Sequence, residues 1–210
     1  MDSSERVSPE NRLPLALGIT GASGAPYWVR FVEVALRAGI DLHVAASGNV
    51  DTVCRTEVGH DFEACIERAR SRASDAGDTV GTATVFDRRD FYCPMASGSA
   101  RYAGMVILPC SMGTMARIAS GTSDDLITRA ADVSLKERRK LILVPRETPL
   151  NLVHLRTMTT VTEAGAVVLP AMPGFYHRPE SIDDLVDFVV QRIADQLDLG
   201  IELTRRWGGR

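Results

Sequence analysis

The 210-residue chain is short of several things that would have named its chemistry directly. Its four cysteines, Cys54, Cys65, Cys93 and Cys110, form no CxxC pair, which argues against a disulfide framework or a thiolate metal site and suits free thiols in a reducing compartment. Its four histidines, His43, His60, His154 and His177, give neither HxH nor HExxH, so no metal centre is expected. The net charge of −3 speaks against nucleic acid as a partner. No apolar run is long enough for a membrane span. The run 13–19 lacks a basic leader and enters a glycine turn, so it is not read as a signal peptide. Neither GxGxxG nor GxxxxGK[ST] is present, which removes the two commonest nucleotide fingerprints. There is no repeat and no low-complexity linker. Residues 1–12 read as a frayed tail and 13–210 as one domain.

What is present is alternation. Short apolar runs are predicted as strands at 15–19, 41–46, 82–86, 105–108, 141–144 and 167–169, separated by helical patterns at 25–39, 50–58, 61–74, 124–139 and 151–163. Pro149 is a candidate helix start, Ser111 a candidate N-cap, and Ser181 is read as the cap of a last helix with an apolar stripe. Six strands alternating with helices predict an α/β, three-layer, Rossmann-like fold with a largely parallel six-stranded sheet.

The chemistry-bearing residues follow the strands. The run Gly21-Ala22-Ser23 comes after the first and precedes a helix, an arrangement that offers backbone N–H groups to an anion. Ser47 follows the second strand, and Cys110-Ser111-Met112-Gly113 the fourth. Arg146 and Glu147 stand after the fifth, where a surface ion pair is the plain alternative to a ligand site. Ser97 lies in the long loop after the third, and Tyr176 in the loop after the sixth. These residues are expected to converge on one sheet edge. Cys110 also suits a small core position. Arg129 and Lys136, seven apart, share a face of any continuous helix; two cations there suit a phosphate, though solvated charge is the usual explanation of such a pair.

Four stretches, GITGASGA (18–25), PCSMGT (109–114), TRAADVSLKERRKLILVPRETPL (128–150) and PGFYHRPESIDDLVDFVVQRI (173–193), resemble the UbiX-type flavin prenyltransferases. The resemblance runs from about Leu15 to Trp207 and is weakest over 61–90. It implies an enzyme that joins the dimethylallyl group of dimethylallyl monophosphate to N5 and C6 of reduced FMN, without metal. The product would be the prenylated-FMN cofactor of a UbiD-type decarboxylase. It implies FMN contacts from Gly21, Ala22, Ser23, Ser47, Cys110, Ser111, Met112, Gly113 and Arg146. Prenyl phosphate contacts are implied for Lys136, Tyr176, Arg192 and Arg129, and catalytic roles for Ser23, Glu57, Lys136, Glu147 and Trp207. A cytoplasmic homododecamer with sites between subunits is the implied assembly. Gly113 departs from the pattern, standing where many relatives have lysine. Two other readings compete: a non-enzymatic FMN carrier, which needs the glycine turns but not Lys136, Tyr176 and Arg192, and a flavin-dependent decarboxylase of the same superfamily. An NAD(P)H-linked flavin reductase lacks its dinucleotide fingerprint.

Overall fold

The computed structural model describes residues 12–75, 80–206 and 208. Tail residues 1–11 and Trp207 therefore lie outside the described residues. The sheet has six parallel strands, β1 (Leu15–Ile19), β2 (Leu42–Ala46), β3 (Ala83–Phe86), β4 (Gly104–Cys110), β5 (Leu141–Pro145) and β6 (Val167–Val168), in the order β3-β2-β1-β4-β5-β6. The order reverses between β1 and β4. In open α/β sheets the crevice beyond the carboxyl ends of such a strand pair is where ligands bind.

Two helical layers cover the sheet because its central strands are apolar on both faces. Leu15, Leu17, Ile19, Leu42, Val44, Val106, Leu108, Ile142 and Val144 point to one side. There they meet α1 (Ala25–Arg37), α2 (Val50–Val58), α3 (Phe62–Ser74) and α7 (Ile182–Gln196). The alternate residues, including Ala16, Ala45, Met105, Ile107, Leu141 and Leu143, pack toward α4 (Met112–Ala119), α5 (Leu126–Lys136) and α6 (Leu152–Glu163). This is the period-two pattern of a sheet buried on both faces. Gly18 lies on the second side, where an added Cβ would come within 2.9 Å of Ile127, so its smallness lets α5 approach β1.

Helix starts follow local chemistry. Asp61, Ser111, Asp125, Asn151 and Ser181 each accept a backbone N–H of the helix they precede. Helix α6 thus begins after Asn151, not at Pro149. Helix α5 stops at Lys136, short of the expected Arg139, because Arg138 takes a left-handed backbone conformation with φ 56°. Strand β4 runs on through Pro109 to Cys110, with a register shift after Ile107 that lets a proline sit in a central strand.

Candidate flavin site at the β1/β4 crevice

The carboxyl ends of β1, β2, β4 and β5 bring together residues far apart in sequence. Ser47 N–H donates to Ile19 O at 2.8 Å, seating Ser47 beside the first turn. Arg146 Nε donates to Ser23 O at 3.2 Å, which ties the turn after β5 to the turn after β1. Gly21 is packed so closely against the start of α2 that a Cβ would lie 2.6 Å from Asn49 Cβ. Only glycine fits there.

Helix α1 has no side-chain cap of its own; its N-cap position is Gly24. Glu57, from the end of α2, supplies one. Its Oε2 accepts from Gly24 N–H at 2.9 Å and from Ala25 N–H at 2.8 Å. A carboxylate at a helix N-terminus satisfies orphan donors and meets the positive end of the dipole. The amides of Gly24 and Ala25 are therefore engaged by Glu57, and any anion at this turn meets those of residues 21–23. The missing local cap at Gly24 was the one sequence signal that a partner had to come from elsewhere.

The turn after β4 is ordered from both sides. Ser111 Oγ accepts from Thr114 N–H at 3.3 Å and lies 3.0 Å from Thr114 Oγ1. Arg117 Nη2 donates to Thr114 Oγ1 at 3.2 Å, while its Nη1 pairs with Asp124 at 2.6 Å and Asp125 at 2.9 Å. The backbone N–H groups of Met112 and Gly113 have no hydrogen-bond partner among the described residues. Beyond Gly113, no atom lies within 4 Å of an added Cβ. Two free amides facing open space at a helix start fit a flavin's polar edge or its phosphate. Cys110 divides its roles. Its thiol is sealed in the core, and burial pushes it up to about 12. The thiol is thus neutral and structural, and the backbone of Cys110 forms the turn. Glu147 folds back on its own loop, accepting from Thr148 N–H at 3.1 Å.

Three groups expected at this edge lie elsewhere in the chain. Residues 87–103 return from the carboxyl end of β3 to the amino end of β4 alongside α5, with the short 3-10 turn Pro94–Ala96 and no α-helix among them. Arg129 Nε donates to Ala96 O at 3.2 Å and Arg139 Nη2 to Gly98 O at 2.6 Å. Lys136, paired with Glu137, lies 2.6 Å from the position of a Cβ on Gly98. Ser97 and Lys136 are consequently at the amino edge of the sheet, and Arg129 is on the outer layer. Five residues of β5 span roughly 16 Å, so Lys136 and Arg146 are separated by at least the depth of the sheet.

Tyr176, in the loop after β6, and Arg192, on α7, both lie beside Phe188 of that helix. Tyr176 packs edge-on to Phe188, with ring centroids 5.7 Å apart, and Arg192 is one turn beyond Phe188 on the same face. Arg192 and Arg206 both pair with Asp195, at 2.8 and 2.9 Å, beside a cavity of about 460 Å³. Arg206 also reaches Glu202 at 3.9 Å, and Asp198 lines the same cavity, so its two guanidinium groups stand among three carboxylates. A larger cavity, about 590 Å³, lies between α1, α3 and the start of α7. Its polar wall is the ion-pair set of Arg30 with Asp187 and Glu33, both at 2.7 Å, and none of the sequence-derived site residues lines it. We assign the chemistry to the β1/β4 crevice, where the unpaired amides are, and not to the larger hollow.

The chain is similar to known proteins over nearly its whole length. Residues 3–194 match the Flavoprotein family. The flavin prenyltransferase UbiX of Alkalihalophilus pseudofirmus is 44% identical over 194 residues, 92% of this chain and 96% of that protein. The crystal structure of AnUbiX (PadA1) in complex with FMN and dimethylallyl pyrophosphate superposes with TM-score 0.81 at 38% identity, covering 95% of this chain and all of that one. A dodecameric FMN-dependent UbiX-like decarboxylase from Escherichia coli O157:H7 superposes with TM-score 0.81 at 38% identity over 94% of this chain and 100% of that chain. No helix among the described residues is long and apolar enough to cross a membrane. By sequence over nearly its whole length and by overall fold, the chain belongs to the UbiX-type flavin prenyltransferases of the Flavoprotein family.

Proposed function

We propose that the protein transfers a dimethylallyl group from dimethylallyl monophosphate to reduced FMN, forming bonds at N5 and C6 and releasing phosphate. The observation that carries this reading is the crevice itself. Free amides of Met112 and Gly113, the Gly21–Ser23 turn, Ser47 and Arg146 converge at the β1/β4 switch point, in a chain 44% identical to a flavin prenyltransferase. Reduced flavin supplies the nucleophilic N5 and the aromatic carbon that closes the ring.

The chain's own residues hold the reactants and manage charge and protons. The amides of residues 21–23 and the hydroxyl of Ser47 hold the FMN phosphate, since Glu57 already engages the amides of Gly24 and Ala25. Arg146, fixed on Ser23 O, sets the flavin's position over that turn. Phosphate leaving the allylic carbon gathers negative charge, which Arg192, Tyr176 and Lys136 stabilise. Glu147 donates a proton to it, and Ser23 with Glu57 carries away the proton lost at C6. Trp207 supplies an aromatic face to the allylic cation.

Lys136 and Arg129 support an assembly in which each crevice is completed by a neighbour. Within one chain Lys136 sits at the opposite sheet edge from Arg146, too far to touch the same phosphate. Exposed Leu152, Val153 and Leu155 on α6, with Met172 and Phe175, offer apolar surface for such contacts. We take the assembly to be a homododecamer, as the E. coli relative is described. The four free thiols suit a reducing cytoplasm, and the product suits a UbiD-type decarboxylase.

The test is anaerobic incubation with reduced FMN and dimethylallyl monophosphate, followed by mass measurement of the flavin. The expected result is a flavin heavier by one dimethylallyl group, with one phosphate released per flavin. Tight FMN binding with no mass gain favours the carrier.

A further inference from the structure

We infer that Thr20 is a positioning residue for the flavin site, a hydroxyl latch that sets the spacing of the two ligand-facing turns. This inference rests on the crevice being the flavin site. Thr20 is 2% exposed and stands where β1 ends and the Gly21–Ser23 turn begins. Its Oγ1 donates to Pro109 O at 2.8 Å and accepts from Ser111 N–H at 2.8 Å, and its own N–H donates to Pro109 O at 3.3 Å. One side chain thus bridges the last residues of β1 and β4 at the point where the strand order reverses.

The latch decides which amides remain for a ligand. Ser111 N–H is consumed by Thr20, and Thr114 N–H by Ser111 Oγ. Between them only the N–H groups of Met112 and Gly113 are left unpaired, and their direction is fixed by the bonds on either side. The same residue begins the other turn, so the amides of residues 21–23 and those of 112 and 113 are held at one separation. Without the hydroxyl, both side-chain bonds from Thr20 to the second turn are lost, and a part-buried N–H at Ser111 is left without its acceptor. A ligand spanning both turns then has to order them as it binds, which weakens it.

The test pairs Thr20→Val, which keeps the shape but removes donor and acceptor, with Thr20→Ser, which keeps the hydroxyl. FMN affinity is read by flavin fluorescence, and the KM for dimethylallyl monophosphate at saturating flavin. Thr20→Val is expected to weaken FMN binding about tenfold, the effect of one lost hydrogen bond's worth of preorganisation, and to leave that KM within about twofold. Thr20→Ser is expected to bind FMN like the parent. FMN affinity unchanged in Thr20→Val, or equally impaired in both variants, would overturn the latch. Should Thr20→Val not fold, amide hydrogen exchange on the unaltered protein decides. Ser111 is expected to be protected before flavin is added, and Met112 and Gly113 only after. Fast exchange at Ser111 in the flavin-free protein refutes the latch. If the parent binds no FMN at all, the functional reading fails, while protection of Ser111 still decides the latch.

Discussion

Glu57 carries two jobs that a pair of substitutions separates. Its carboxylate is the only side-chain cap of α1 among the described residues, holding Gly24 and Ala25 N–H at 2.9 and 2.8 Å. Glu57→Ala leaves both amides without that acceptor, and Gly24 is buried. Losing an N-cap, here a charged one, costs about 1–2 kcal/mol. For a chain of this size that lowers the melting midpoint by about 2–8 °C. Glu57→Gln keeps an amide oxygen that can accept from the same two donors and loses only the charge, for under about 1 kcal/mol. The catalytic reading assigns Glu57 a proton, which glutamine cannot take. Turnover in Glu57→Gln should therefore fall by roughly a hundredfold or more while most of the stability survives. The assays are thermal melts at matched protein concentration and phosphate release with reduced FMN. A Glu57→Ala protein that melts with the parent refutes the capping argument, and a fully active Glu57→Gln refutes the proton role.

Other expectations follow from named contacts. Gly21→Ala pushes a methyl to within 2.6 Å of Asn49 Cβ, so the turn must shift, and bound flavin, read from its visible spectrum, should drop sharply. Arg192→Ala and Tyr176→Phe should retain flavin and lose turnover at limiting prenyl phosphate, since neither side chain is in the β1/β4 crevice; loss of flavin instead would move both into the FMN site. Burial pushes the thiols of Cys54 and Cys110 from near 9 up to about 12. Because the unfolded chain gives up these protons first, their contribution to stability is whole below pH 9 and is lost as pH rises from about 9 toward 12. The melting midpoint should be insensitive to these thiols up to pH 8.5 and decline above about 9, and iodoacetamide at pH 8 should leave both thiols unmodified in the native protein.

The strands and most helix starts were legible in the sequence because their causes are local. Apolar β-branched runs such as 141–144 are strands, and Asp61, Ser111 and Ser181 announce helices by caps one residue away. So were the glycine turn and the Cys110–Gly113 turn, since each follows a strand. Illegible were the features set by tertiary contact. Glu57 caps a helix that begins 32 residues earlier. Thr20 reads as one more small residue until Pro109 and Ser111 arrive beside it. Ser97 follows a strand, yet the return of residues 87–103, which has no α-helix, carries it to the other edge, where Arg139 holds Gly98 O. The motif resemblance grouped Lys136 with Arg146, but a single fold keeps them a sheet's depth apart.

That separation makes the sharing of each site between chains the claim most worth testing, and subunit mixing tests it directly. Ser23→Asp should repel the FMN phosphate, and Lys136→Ala should remove a cation from the leaving phosphate, so each homogeneous assembly should be inactive. Co-assembled after dissociation, the two should regain activity, because some crevices then combine an intact flavin turn from the Lys136→Ala chain with Lys136 from the Ser23→Asp chain. The account predicts prenylated flavin, read by mass, from the mixed assembly and none from either parent. A mixture verified by native mass spectrometry to contain both chains, yet still inactive, would contradict it.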